Sequence, residues 1–159
     1  EPDDVVILLD GDDWLLHDEA FKTIEEAYTR GAWLTYGRLV ESEGSPSRFG
    51  VYPKRIAETG RFAEWPWCAT IPRTFRRFLL DAVDDTHFLL NGKWHKLAGD
   101  VCVFLPLLQL ACERAVGIKQ AIYVYNTETP FSEHVVDPYE TTRVHDALLQ
   151  RPQLLRLVR

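Results

Sequence analysis

The chain has 159 residues, of which 46% are hydrophobic and 12% aromatic, enough apolar side chain for one domain with a real core and too much for a disordered segment. Eighteen basic against 24 acidic side chains give a formal net charge of -6, which repels a phosphate backbone and argues against nucleic acid as a partner. No apolar run approaches the ~20 residues that a membrane-spanning helix needs, and no basic-then-apolar leader opens the sequence. The expectation is a soluble, cytoplasmic protein with no membrane span. Cys68, Cys102 and Cys112 are odd in number, lack C-x-x-C spacing and lie among apolar neighbours, so they are expected as reduced core residues. No methionine is present, even at position 1, and the first residues lead straight into an apolar strand; an amino-terminal portion is expected to lie outside this sequence.

In chain order, Val5 to Leu9 is an unbroken apolar run rich in β-branched residues, which predicts a strand covered on both faces within a sheet. Asp18 is placed to cap a helix running to about Arg30, with Phe21, Ile24, Ala27 and Tyr28 on one face. A second strand is expected over Ala32 to Tyr36. A loop-rich stretch, Glu41 to Pro72, follows, and Pro72 is placed to open a helix whose apolar stripe is Phe75, Phe78, Leu79, Ala82 and Val83. Asp84 to Gly99 reads as a second long loop. Asp100 to Ala115 carries apolar residues at helical spacing, with Pro106 expected to kink the helix or mark its first turn. Ile118 to Tyr125 is the third strand, and Asp137-Pro138-Tyr139-Glu140 combines an acidic cap with proline at the first helical position, opening a helix to about Gln150. Three strands make a thin sheet for so apolar a first strand, so cover from a missing sheet-forming half or a partner copy is expected. The class that results is α/β, a sheet flanked by helices, in one domain spanning residues 1–159.

Chemistry concentrates at Asp10-Gly11-Asp12-Asp13, directly after the first strand. In an extended segment residues two apart face the same side, so Asp10 and Asp12 could converge on one cation, while Gly11 permits close backbone approach. Hard oxygen ligands at the carboxyl end of a strand suit magnesium or manganese holding a diphosphate. An acidic turn that merely ends a strand is the plain alternative. An EF-hand starting at Asp10 fails, because its sixth and twelfth positions hold Leu15 and Phe21 rather than glycine and glutamate. A haloacid-dehalogenase-type phosphatase would want glycine and threonine after the second aspartate, where Asp13 and Trp14 stand.

The run ILLDGDDWL (Ile7 to Leu15) resembles the metal-binding aspartate motif of family 2 glycosyltransferases. AGDVCVFLPLLQLA (Ala98 to Ala111) resembles the segment in which those enzymes place a base aspartate before a helix, and IYVYNTETPFSEH (Ile122 to His134) resembles the strand and loop that follow. The likeness is strongest to bacterial, viral and collagen-modifying transferases with D-G-D-D-W, R-T-F-R and Y-V-Y-N, and it extends from Asp4 to about Leu155.

The resemblance implies a GT-A fold, a Rossmann-like mixed sheet flanked by helices, lacking its amino-terminal βαβ units. It implies an inverting transfer of a sugar from a nucleotide-sugar donor, of UDP-sugar type, to a hydroxyl of a saccharide, protein or lipid acceptor. Asp10, Gly11 and Asp12 would bind the donor, and Asp12, Asp10 and His134 would hold manganese or magnesium. Asp100 would be the general base; as a residue preceding an apolar helix it could also be only a cap, a role compatible with catalysis, which the matching context favours. Trp65, Trp67 and Trp94, in the loops between motif and base, are the candidates for stacking on an acceptor sugar, against the alternative that they pin those loops to the core. Arg73, Arg76 and Arg77 could reach a diphosphate or simply line a solvated helix face. No role is expected for His145 beyond the last helix. Two other functions stay open: an inactive sugar- or nucleotide-binding module descended from such an enzyme, and a metal-dependent phosphohydrolase.

Overall fold

The computed structural model describes residues 1–94, 97–130 and 137–158. Its principal strands are β1 (Val5–Leu8), β2 (Trp14–Leu15), β3 (Leu34–Glu41), β4 (Thr70–Arg76) and β7 (Ala115–Tyr125), with a separate hairpin of β5 (Leu89–Leu90) and β6 (Lys93–Trp94). The helices are α1 (Ala20–Thr29), α2 (Lys54–Thr59), α3 (Arg77–Asp81), α4 (Gly99–Ala111) and α5 (Pro138–Leu149). Five strands form one sheet in the order β1-β4-β3-β7-β2. β3 and β7 are parallel and the other neighbours antiparallel, so β1, β3 and β7 run the same way and end at the same edge of the sheet. The protein is a mixed α/β domain, as the alternation of apolar strands and amphipathic helices implied.

Two layers of helix cover the sheet. On one face, Ile24, Ala27 and Tyr28 of α1 pack with Ile118 and Ile122 of β7. Tyr28 also reaches a buried polar node there, its hydroxyl 2.7 Å from Thr74 Oγ1, which lies 2.7 Å from Thr35 Oγ1. On the other face, Leu34, Tyr36 and Phe75 meet Phe104, Leu107 and Leu108 of α4 and Val144 and Leu148 of α5. The α5 start follows the expected chemistry: Asp137 accepts from the Glu140 N–H at 3.0 Å and Pro138 takes the first helical position. All three cysteines are buried free thiols, as expected.

Several expectations need correction. β1 is an edge strand rather than one covered on both faces, and Leu8 and Leu9 are 38% and 48% exposed. α1 begins after Glu19, so Asp18 does not cap it, and Phe21 lies on its exposed side. Pro72 opens no helix; it sits inside β4, where the ladder to β3 shifts register between Tyr36 and Gly37. A bulge tolerates the missing proline N–H, and Gly37 makes room for the ring: a side-chain carbon there would come 2.5 Å from Pro72 Cδ. The β-branched Thr70, Ile71 and Thr74 win the segment for strand, and helix is confined to Arg77–Asp81. Pro106 lies within α4 rather than in its first turn.

The stretch read as one long loop before β4 is held by tyrosine pegs. Tyr52 donates its N–H to Tyr36 Oη at 3.0 Å, and Tyr52 Oη accepts from the Cys68 N–H at 3.2 Å. Burial pushes the Tyr36 phenol up to about 12, so it stays a neutral hydrogen-bonding post. Gly117 of β7 is required beside it, because a side-chain carbon would stand 2.8 Å from that hydroxyl and 2.5 Å from Val51 Cγ1.

Candidate functional site

β1 and β2 stand at opposite ends of the sheet, yet only Leu9 to Asp13 join them. This connection must therefore run across the carboxyl ends of the parallel strands, where ligands bind in open α/β sheets. It is moored to β7 at two points. Asp10 donates its N–H to Tyr123 Oη at 3.0 Å, and Asp13 Oδ1 accepts from the Asn126 N–H at 2.8 Å. Between these, the Asp13 N–H reaches back to the Asp10 carbonyl at 3.3 Å, closing a turn over Gly11 and Asp12. The segment is thus a turn rather than a continuation of the strand, and strand alternation does not aim the carboxylates.

Charge crowds here. Burial raises the Asp13 pKa most, the Asn126 N–H and the Tyr123 hydroxyl hold it down, and the neighbouring Asp10 and Asp12 push it up again. Asp13 Oδ2 is buried with no hydrogen-bond partner among the described residues. Tyr123 is fully buried, and its phenol is driven well above the usual range, chiefly by burial. Asp10 and Asp12, by contrast, are exposed and enter no ion pair among the described residues. A side-chain carbon at Gly11 would meet nothing within 4 Å, so the protein's own packing does not demand glycine there; the turn backbone lies open to solvent.

The β1–β4 register brings the second candidate to this edge. Leu8, two residues before Asp10, faces Arg73 across the ladder. Arg73 Nη2 donates to Asp100 Oδ2 at 2.8 Å, while its Nε donates to the Ala69 carbonyl at 2.8 Å. Asp100 is in the first turn of α4 but does not cap it: the cap position is Ala98, at a left-handed φ of 51°, without a side-chain bond. The cap alternative for Asp100 is therefore replaced by an ion pair with β4.

The remaining candidates separate. Trp65 is half-buried under the Arg55 guanidinium, 5.5 Å from its ring centre. Trp67 lies edge-on to His145 at 6.4 Å, and its Nε1 is buried with no partner among the described residues. Both fasten loops to the core. Trp94 is 69% exposed, on the β5–β6 hairpin. His145 sits within α5, the helix expected to carry it, 3.3 Å from Asp146. Arg76 covers the Tyr28 ring and Arg77 pairs with Asp81 at 3.6 Å, so of the three arginines Arg73 is the one beside Asp100. His134 lies outside the described residues.

Among the described residues, no three histidine, cysteine, aspartate or glutamate side chains are grouped to cage a metal ion. The donor set at the turn nonetheless fits a hard cation of the magnesium or manganese kind, which is commonly held by one or two carboxylates with substrate phosphates and water filling the other positions. Asp10 and Asp12 supply such carboxylates, uncompensated by arginine or lysine among the described residues. The sequence reading missed the moorings, Tyr123 and Asn126, and the arginine link to Asp100; the Y-V-Y-N run was visible, but nothing in its spacing said which strand it would adjoin. A comparison with known protein families finds no match for this chain, and a comparison with curated proteins finds no relative.

Proposed function

We propose that this chain is the carboxyl-side part of a GT-A glycosyltransferase of family 2 type, moving a sugar from a UDP-sugar donor to an acceptor hydroxyl with inversion. The observation that carries the reading is the β1–β4 register, which sets Arg73, the partner of Asp100, opposite Leu8, two residues before Asp10. An exposed pair of carboxylates and a separate, oriented carboxylate are the two acidic functions that such a transfer needs.

In this reading Asp10 and Asp12 hold the divalent cation, whose charge offsets that growing on the departing diphosphate. The mooring to Tyr123 and Asn126 fixes the turn before the donor arrives, which reduces the ordering cost of binding. Arg73 holds Asp100 by Oδ2, and Oδ1, with no hydrogen-bond partner among the described residues, would take the acceptor hydroxyl. As that oxygen attacks the anomeric carbon, Asp100 takes its proton, a contribution of ~100 to 10,000-fold. Two carboxylates on the turn and one on α4 divide the work between leaving group and nucleophile.

A second reading, a binding module without turnover, draws on the same ion pair, because a guanidinium already occupies one oxygen of the would-be base. Turnover separates the two. With manganese, a UDP-sugar and a panel of saccharide acceptors, the wild type is expected to release UDP in step with glycoside formation. Asp100→Asn keeps an acceptor atom for Arg73 and should bind donor but lose transfer by at least ~100-fold. Equal turnover in that variant would remove the base assignment, and nucleotide binding without any transfer would favour the module.

A further inference from the structure

The described part of the segment after Asp84 closes into the β5–β6 hairpin. Asn91 and Gly92 occupy its two-residue turn with φ of 53° and 74°, the left-handed pair that matches the twist of a hairpin, and Leu89 pairs with Trp94 across it. Its root is bolted down at three consecutive carbonyls. Arg151 donates to those of His87 and Leu89, and Cys102 Sγ donates to that of Phe88 at 3.0 Å. Cys102 belongs to the first turns of α4, two residues after Asp100.

This scaffold holds an aromatic ring flat. Trp94 stacks on Phe88 with ring centres 6.1 Å apart and planes 12° from parallel. Phe88 is buried, 6% exposed, whereas Trp94 is 69% exposed. One side of the indole thus rests on the core and the rest of it faces solvent. Its surroundings do not resemble a protein-docking face. Asn91, Gly92 and Lys93 beside it are exposed, and the half-buried Leu89 lies across the ladder from it, so among the described residues the apolar area is small.

We infer that the solvent-facing side of the Trp94 indole, supported from behind by Phe88, is a sugar-binding platform, taking the apolar C–H face of a pyranose ring and delivering the acceptor to Asp100. A pyranose has one side lined by C–H groups and a rim of hydroxyls, which suits the negative face of an indole ringed by polar groups. The indole N–H supplies a donor for a rim hydroxyl. The hairpin precedes α4 directly, with Trp94 six residues before Asp100, so a ring seated there is tethered to the helix that carries the base. The role as acceptor subsite rests on the transferase reading above; saccharide binding by Trp94 does not.

The two are separated by measuring binding with no donor present. Saturation-transfer NMR on the full chain, with methyl β-D-galactopyranoside and methyl β-D-glucopyranoside as probes, should show transfer to the ring C–H protons in the wild type. Asp12→Ala should give the same signal, because the metal carboxylates are not involved. Trp94→Ala should lose it about five- to tenfold, and Trp94→Phe, which keeps a smaller ring, should retain part. Far-UV circular dichroism should show all variants folded, since Trp94 is exposed. A signal unchanged in Trp94→Ala, or absent from the wild type, overturns the platform. In transfer assays, Trp94→Ala should raise the acceptor KM by a similar factor with little change in kcat. Saccharide binding through Trp94 in a chain that transfers nothing would uphold the platform and count against the transferase.

Discussion

Arg73 and Asp100 lie 2.8 Å apart and join the middle of β4 to the first turn of α4. Their side chains are 14% and 33% exposed, so the pair is neither a surface ion pair of little worth nor a fully desolvated one. Arg73→Met should cost about 1–3 kcal/mol in urea denaturation, because it leaves Asp100 and the Ala69 carbonyl without their donor. Combined with Asp100→Asn, the loss should be smaller than the sum of the two single losses. Strict additivity would mean that the two residues act independently.

Tyr123 places one hydroxyl under the motif turn. Tyr123→Phe keeps the ring in its buried slot but leaves the Asp10 N–H without its acceptor, at a cost of about 1 kcal/mol. The turn should loosen with it. Metal-dependent uridine nucleotide affinity is expected to fall several-fold, whereas Tyr139→Phe, on an 82% exposed residue of α5, should change neither stability nor affinity. Equal affinity in Tyr123→Phe would show that the mooring is not needed.

Asp13 gives a pH test with a definite sign. Its pKa is raised in the folded chain, first by burial, so the folded state holds its proton to higher pH than the unfolded state does. Its ionisation therefore takes stability away as pH rises from the ordinary aspartate value near 4 through the raised one, and above that the loss is constant. Asp13→Asn retains an oxygen for the Asn126 N–H and removes the charge. Its thermal midpoint should equal or exceed that of the wild type at pH 7, with the difference shrinking at pH 3. A lower midpoint at pH 7 would mean that the ionised form is the one the fold needs.

How much of this could be read from residues alone depends on range. The start of α5 was legible because its cap, proline and Glu140 act within one turn. The strands around Val5 and Tyr123 were legible because β-branched and aromatic runs have few alternatives. Pro72 misled because helix openings and strand bulges both accept a residue without an N–H, and what decided between them was Gly37, 35 residues away. The Asn91-Gly92 turn carried a plain hairpin signal, but the strands it joins are only two residues each, too short to register as alternation. The Arg73 link to Asp100 had no local signature, since it follows from the antiparallel register of β1 and β4 and from where α4 begins.

In the proposed function, Asp10 and Asp12 grip a divalent ion that in turn holds the donor diphosphate. Calorimetric titration of UDP, with and without manganese, on the wild type and on Asp12→Ala, tests it most directly. Binding should require manganese in the wild type and weaken at least tenfold in the variant. Affinity indifferent to both the metal and the substitution would contradict the account.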